Sequence, residues 1–240
     1  MIRLLLIQLR DWDNPMAEHE HACVERRFGD RPVKVTSRNA KTHIAAPEWL
    51  DDQDAFVIGG SGRYSVHDPR STRFVYPLRD LLERGLSEDI PGFGICFGHQ
   101  LLGLHLGARV VTDEKRTECG TIALELTEIG RVDPLFGPLG ERFDGHTGHT
   151  DCVLEVPDTV QLLARSGTLE TQAFKVEGKR FYSTQFHPDL TAVEAQARYR
   201  SVAADVGPFD SVSEEEHVGG FVPNRDDTES LLGRFLDLYF

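Results

Sequence analysis

Basic residues are in short supply in this chain: 26 Lys and Arg stand against 39 Asp and Glu, leaving a formal net charge of −13. Over most of such a surface a phosphate backbone or an anionic membrane is repelled, so neither nucleic acid nor membrane is an expected partner. The shortage falls on lysine, which arginine greatly exceeds, a bias that points to no function. Cysteine is sparse as well. Cys23, Cys96, Cys119 and Cys152 lie far apart, without the paired spacing of a zinc site or the density of a disulfide-stapled secreted domain, and a reducing cytoplasm is the expected setting. Long apolar runs are missing too. The opening run at 2–7 is far too short for a membrane span, and Asp11 and Asp13 follow it without a small-residue cleavage pattern. Neither internal repeats nor low-complexity tracts appear.

What is present is an alternation of strand and helix signals. The run 2–8 is apolar almost throughout, as expected of a strand covered on both faces. Pro15 suits the first position of a helix over 17–28, which Gly29-Asp30 ends. Strands are expected at 32–36, 54–58 and 93–96, with helices over 72–84 and 98–106. This pitch predicts an α/β fold with a doubly wound, mostly parallel sheet flanked by helices. In the second half, segments 121–126, 152–156, 161–165, 172–175 and 180–184 are short and closely spaced, which predicts antiparallel additions. Two helices close the chain, 190–203 and 228–239, the latter with Thr228 as N-cap and an apolar stripe from Leu231 to Tyr239. Between them 210–224 is polar and acidic, the pattern of an exposed or partly disordered loop. One domain over 1–240 is expected, with its core at about 1–205 and a loop and helix at 206–240.

Two segments carry chemistry. Gly94-Ile-Cys96-Phe-Gly98 has the form of a nucleophile elbow: glycines two residues either side let a strand turn sharply into a helix and leave the central side chain exposed. A helix N-terminus favours the thiolate, the attacking form of cysteine. Free cysteines are more often small buried hydrophobes, so this motif alone is only moderately specific. The second segment, Gln185-Phe-His-Pro-Asp189, sets His187 at a strand end with a carboxylate two positions on. Nucleophile, base and orienting carboxylate need only meet in space, in any chain order. Other signals are weaker. His146, His149, Asp151 and Cys152 lack metal-ligand spacing, and Gly59-Gly-Ser-Gly62 lacks the Gly-Lys-Ser/Thr ending of a phosphate loop, so no metal, nucleotide or other cofactor is expected. His99 and His105 are expected to face polar surroundings or solvent.

Taken together, the motifs resemble the class I, triad-type glutamine amidotransferases, a flavodoxin-like family that includes the amidotransferase domain of GMP synthetase. Ile58-Gly-Gly-Ser61 with Ser65-Val66 resembles the family's oxyanion loop, Gly94 to Gln100 its nucleophile segment, and Glu118-Cys-Gly120 its E-x-G turn. His149-Thr-Asp-Cys-Val153 with Pro157, then Leu163-Ala-Arg-Ser166, Gln172-Ala-Phe174 and Gln185-Phe-His-Pro188 follow in the family's order, over roughly residues 1–205. The resemblance implies Cys96 as nucleophile, His187 as base, Asp189 as the residue orienting His187, and the backbone N–H groups of Gly60 and Phe97 as oxyanion hole. Gln100 and the backbone of Gly148, His149, Thr150 and Asp151 would hold the amino-acid end of a small substrate, glutamine or another γ-glutamyl amide. The family usually has glutamate where this chain has Asp189.

Three functions compete. As an amidotransferase the chain would release ammonia from glutamine through a γ-glutamyl thioester on Cys96; only a short tail follows residue 205, so a separate synthetase subunit would be its partner. As a stand-alone γ-glutamyl peptidase or hydrolase it would cleave small γ-glutamyl metabolites by the same chemistry. As a silent binding or regulatory protein it would have little need for Cys96, His187 and an acidic partner together.

Overall fold

The computed structural model describes residues 1–206 and 212–240. In chain order the elements are β1 (Ile2–Gln8), α1 (Met16–Arg26), β2 (Val33–Asn39), β3 (Ala55–Ile58), α2 (Thr72–Ser87), β4 (Gly92–Ile95), α3 (Phe97–His105), β5 (Arg109–Thr112), β6 (Glu118–Leu126), α4 (Glu128–Val132), β7 (Arg142–His149), β8 (Asp151–Glu155), β9 (Val160–Arg165), β10 (Ala173–Val176), β11 (Phe181–Thr184), α5 (Ala192–Val206), α6 (Glu214–Gly219) and α7 (Leu231–Asp237). Short 3-10 turns lie between several of them.

Successive residues of a strand point to opposite faces, and β1 is apolar on both. Leu4 and Leu6 pack on one side with Val24 and Phe28, at the end of α1, and with Leu232 and Phe235 of α7. Leu5 and Ile7 pack on the other with Phe74, Leu78 and Leu82 of α2 and Leu101 of α3. Helices therefore cover both faces, and every strand between them must be apolar twice over, as the fully buried β3 is. The large sheet runs β2-β1-β3-β4-β11-β10-β9-β6-β7. Pairing is parallel from β2 to β11 and antiparallel from β11 to β7, while β5 and β8 form a separate antiparallel pair. This is the expected doubly wound sheet with antiparallel additions.

Several details differ from expectation. Segment 180–184 pairs with the antiparallel β10 on one side, but on the other it inserts beside β4 in parallel, Ser183 opposite Gly94. Its short, closely spaced character hides this central place. Strands β5 and β7 carry no clear signal in the sequence; β7 contains two glycines, an aspartate and two histidines, residues without strand preference, and forms by pairing along its whole length with β6. Glu118-Cys-Gly120, expected as a turn, is the start of β6, with the turn-like φ of +114° confined to Gly120. The expected loop at 210–224 contains α6, whose first turn is capped by the Ser213 side chain accepting from the Glu216 N–H; residues 210 and 211 lie outside the described residues. Thr228 is not an N-cap. It is fully buried and donates its hydroxyl to the Asp144 carbonyl at 2.6 Å, so a 3-10 turn precedes α7.

Candidate active site

The parallel strands β3, β4 and β11 end side by side, and the loops leaving them build the site. At the end of β4 the chain turns into α3 through Cys96, which takes φ +51° and ψ −98°, a conformation an L-residue holds only when its neighbours enforce it. The neighbours do. The Cys96 N–H donates to the Thr184 carbonyl of β11 at 2.8 Å, and its carbonyl receives the Gln100 N–H at 3.0 Å. A methyl group at Gly94 would stand 2.7 Å from the Gly98 carbonyl oxygen, and one at Gly98 would collide with the Ile58 carbonyl of β3. Both glycines of the elbow are thus required, because strand and helix backbones touch there. Phe97 opens α3, where first-turn N–H groups have no partner within the helix.

From β3 comes Gly60. A Cβ there would lie 3.1 Å from His187 Cε1 and 3.7 Å from Cys96 Cβ, so Gly60, Cys96 and His187 share one small volume. From β11 comes His187, held by its own N–H donating to the His146 carbonyl of β7 at 2.8 Å. The Cys96 side chain and the imidazole face the same side of Gly60, which brings sulfur and ring next to each other. On the far side of the ring, Nδ1 lies 3.0 Å from Asp189 Oδ1. A carboxylate can only accept, so Nδ1 carries the proton and Nε2 faces the sulfur side. Burial alone would push the imidazole's pKa down, but Asp189 and Cys96 outweigh it and raise it to about 9.

Asp189 is fully buried, and burial would raise its pKa; the Arg198 guanidinium of α5 and the His187 ring instead hold it well below the usual carboxylate range. Arg198 Nη1 donates to Asp189 Oδ2 at 2.7 Å. Sequence reasoning missed Arg198, because nothing in a helical stretch marks one arginine as turned inward. It also missed the buried pair of Arg10 and Glu20, 2.9 Å apart, from which Arg10 Nη1 reaches the Ser61 carbonyl at 3.5 Å and supports the loop after β3.

The remaining expected residues meet here too. Gln100 donates Nε2 to the Asp151 carbonyl at 2.9 Å and to Gln185 Oε1 at 3.1 Å, so its amide nitrogen is spent on tying the 148–151 segment to α3. His149 Nε2 lies 3.0 Å from Glu118, whose buried carboxylate also receives Ser166, Thr168 and Gln172. Burial would raise the Glu118 pKa, yet these hydrogen bonds lower it. Gly60, Cys96, Gln100, His187 and residues 148–151 all line one cavity of about 230 Å³, which Tyr199 and Val202 of α5 and Phe221 after α6 also line. His99 corrects the sequence expectation: it is fully buried, with Nδ1 2.9 Å from Ser183 Oγ, and burial drives its pKa down to about 3. His105 is half-buried beside Glu83. Among the described residues no group of three His, Cys, Asp or Glu side chains is placed to hold a metal ion, and no helix is long and apolar enough to cross a membrane.

Comparison with known proteins identifies the family and the fold. The family model for glutamine amidotransferase class-I matches residues 20–202. A glutamine-hydrolyzing GMP synthase subunit from Thermococcus kodakarensis is 35% identical over 51% of this chain and 64% of its own length. Its counterpart from Methanocaldococcus jannaschii, which carries the same name, is 31% identical over 48% of this chain and 60% of its own. The chain thus matches less than two thirds of the length of these relatives. Among solved structures, a glutamine amidotransferase from Thermotoga maritima superposes with a TM-score of 0.74 at 20% identity, covering 98% of this chain and 94% of that one, which shows the shared fold.

Proposed function

The chain belongs to the class I glutamine amidotransferases, and from that premise we propose that it hydrolyses the side-chain amide of glutamine or a related γ-glutamyl compound through a thioester on Cys96. The observation that carries the reading is Cys96 and His187 beside Gly60 in one cavity, with Asp189 bonded to Nδ1 of the His187 ring. The sulfur adds to the γ-carbonyl carbon, and the charge gathering on oxygen is met by the backbone N–H groups of Gly60 and Phe97. His187, charged through Nε2, gives that proton to the departing nitrogen; the C–N bond breaks and the thioester remains. Water then adds to the thioester, His187 takes its proton, and the C–S bond breaks to return the thiol and glutamate. The backbone of Gly148, His149, Thr150 and Asp151, braced by Gln100, would hold the amino-acid end.

If the departing group is ammonia, its use belongs to a synthetase carried on a separate chain, a reading that the names of the two GMP synthase relatives support. A stand-alone γ-glutamyl hydrolase is the second reading. Tyr199, Val202 and Phe221, which line the same cavity, favour it by giving a leaving group larger than ammonia an apolar wall to pack against. The deciding experiment compares kcat/KM for glutamine and for a series of γ-glutamyl peptides without ATP. Efficient cleavage of a peptide supports the hydrolase, slow glutaminase activity that rises with a synthetase supports the amidotransferase, and no turnover of any member by folded, reduced protein would sink both.

A further inference from the structure

Asp189 is one methylene shorter than a glutamate, and a short carboxylate reaches a neighbouring ring in fewer poses. In this chain it has a second partner. Asp189 Oδ1 accepts from His187 Nδ1 at 3.0 Å while Oδ2 accepts from Arg198 Nη1 at 2.7 Å, and all three residues are more than nine-tenths buried. The same Nη1 stands 3.4 Å from His187 Nδ1, too close for the guanidinium to be a distant counter-charge.

The rest of Arg198 is unusual for a structural ion pair. Among the described residues its Nε and Nη2 are buried without a hydrogen-bond partner, a costly arrangement for a guanidinium. A residue present only to fill space there would be apolar. Arg198 is also delivered with care. Thr191 and Glu194 cap the start of α5 reciprocally, the Thr191 N–H donating to Glu194 Oε2 at 2.8 Å and the Glu194 N–H to Thr191 Oγ1 at 3.3 Å. Glu194 is in turn bound by Arg26 and Arg27 at the end of α1. Arg198 lies four residues on from Glu194, on the same helix face, so the register of α5 is locked where the guanidinium meets Asp189.

We infer that Arg198 is a positioning residue: its guanidinium fixes Asp189 in the pose from which the shorter carboxylate holds the His187 ring toward Cys96. The assignment rests on the hydrolysis proposed above. Arg198 touches no reacting atom and acts only through Asp189.

The test is a set of full-chain variants, Arg198→Met, Arg198→Lys, Asp189→Ala and the two Arg198 changes in the Asp189→Ala background. Folding is checked by circular dichroism and a cooperative melt, and kcat and KM are measured on the best γ-glutamyl substrate. Arg198→Met is expected to lower kcat about 10- to 100-fold, part of what a positioned acid–base group contributes, with KM within about twofold. Arg198→Lys should recover part of the loss, and neither change should lower kcat further once Asp189 is alanine. If Arg198→Met does not fold, the lysine variant must by itself show a reduced kcat that vanishes in the alanine background. An unchanged kcat in a folded Arg198 variant, or an equal loss with and without Asp189, overturns the assignment. The alkylation rate of Cys96 by iodoacetamide is followed in the same variants and should fall in the same order. Because it needs no turnover, it judges Arg198 even if no γ-glutamyl amide proves to be a substrate, an outcome that would defeat the proposed reaction alone.

Discussion

A methyl group placed on Gly60 would sit 3.1 Å from Cε1 of His187, closer than side chains normally tolerate, so the loop after β3 and the imidazole are already in contact across the cleft. Gly60→Ala should therefore displace the ring by a few tenths of an ångström and lower kcat about 10-fold or more, with little change in melting temperature. Steady-state kinetics beside a thermal melt checks this. An alanine variant with wild-type kcat would show that the ring has room to spare.

The four cysteines should differ sharply in reactivity. Cys23 and Cys152 are fully buried, and burial pushes their thiols up to about 12 and about 11. Cys96 is partly exposed at the turn into α3. Treatment with 6-diazo-5-oxo-norleucine followed by peptide mass spectrometry should find the adduct on Cys96. Cys96→Ser and His187→Ala should each nearly abolish turnover, because nucleophile and base act as a unit. Label on Cys23, Cys119 or Cys152 ahead of Cys96 would refute the assignment.

Restoring the family's usual glutamate at 189 should do harm. Asp189 is 1% exposed and already bonded on both oxygens, so an added methylene must push against the ring or the guanidinium. Overpacking of this kind costs about 1–3 kcal/mol. Asp189→Glu is expected to lower both the denaturation midpoint and kcat, whereas Asp189→Ala keeps the Gly60 and Phe97 donors and loses orientation. A more active glutamate variant would mean that the clamp adapts.

The buried histidines set opposite slopes of stability against pH. His187 is raised from 6.5 to about 9 in the folded protein, so its contribution is complete below about pH 6.5 and is lost as pH rises through about 9. His99 and His146 are lowered from 6.5 to about 3 and about 4 by burial, so the unfolded chain binds more protons and stability falls as pH drops below about 6.5. Stability should therefore peak near pH 6.5, and His187→Ala should flatten the alkaline side. Urea denaturation at about pH 5, 6.5 and 9 measures both slopes; a wild type that gained stability steadily from about pH 6.5 to 9 would contradict the first.

Patterns that depend on near neighbours in the chain are legible in the sequence alone. The double-faced burial of β1, the glycines either side of Cys96 and the short step from His187 to Asp189 are local constraints, and each leaves a mark in spacing or residue type. Partners distant in the chain leave no such mark. β7 is a strand because β6 pairs with it, against the preference of its own glycines and histidines. β11 lies parallel to β4 at the centre of the sheet, where Gly92 leaves room for the Phe181 ring. Arg198 faces Asp189 only because the packing of α5 on α1 turns it inward, and its value to the site comes from a low-dielectric setting that a linear string of residues does not reveal. Local geometry is written residue by residue, whereas burial and long-range charge pairing arise only when the whole chain has closed around them.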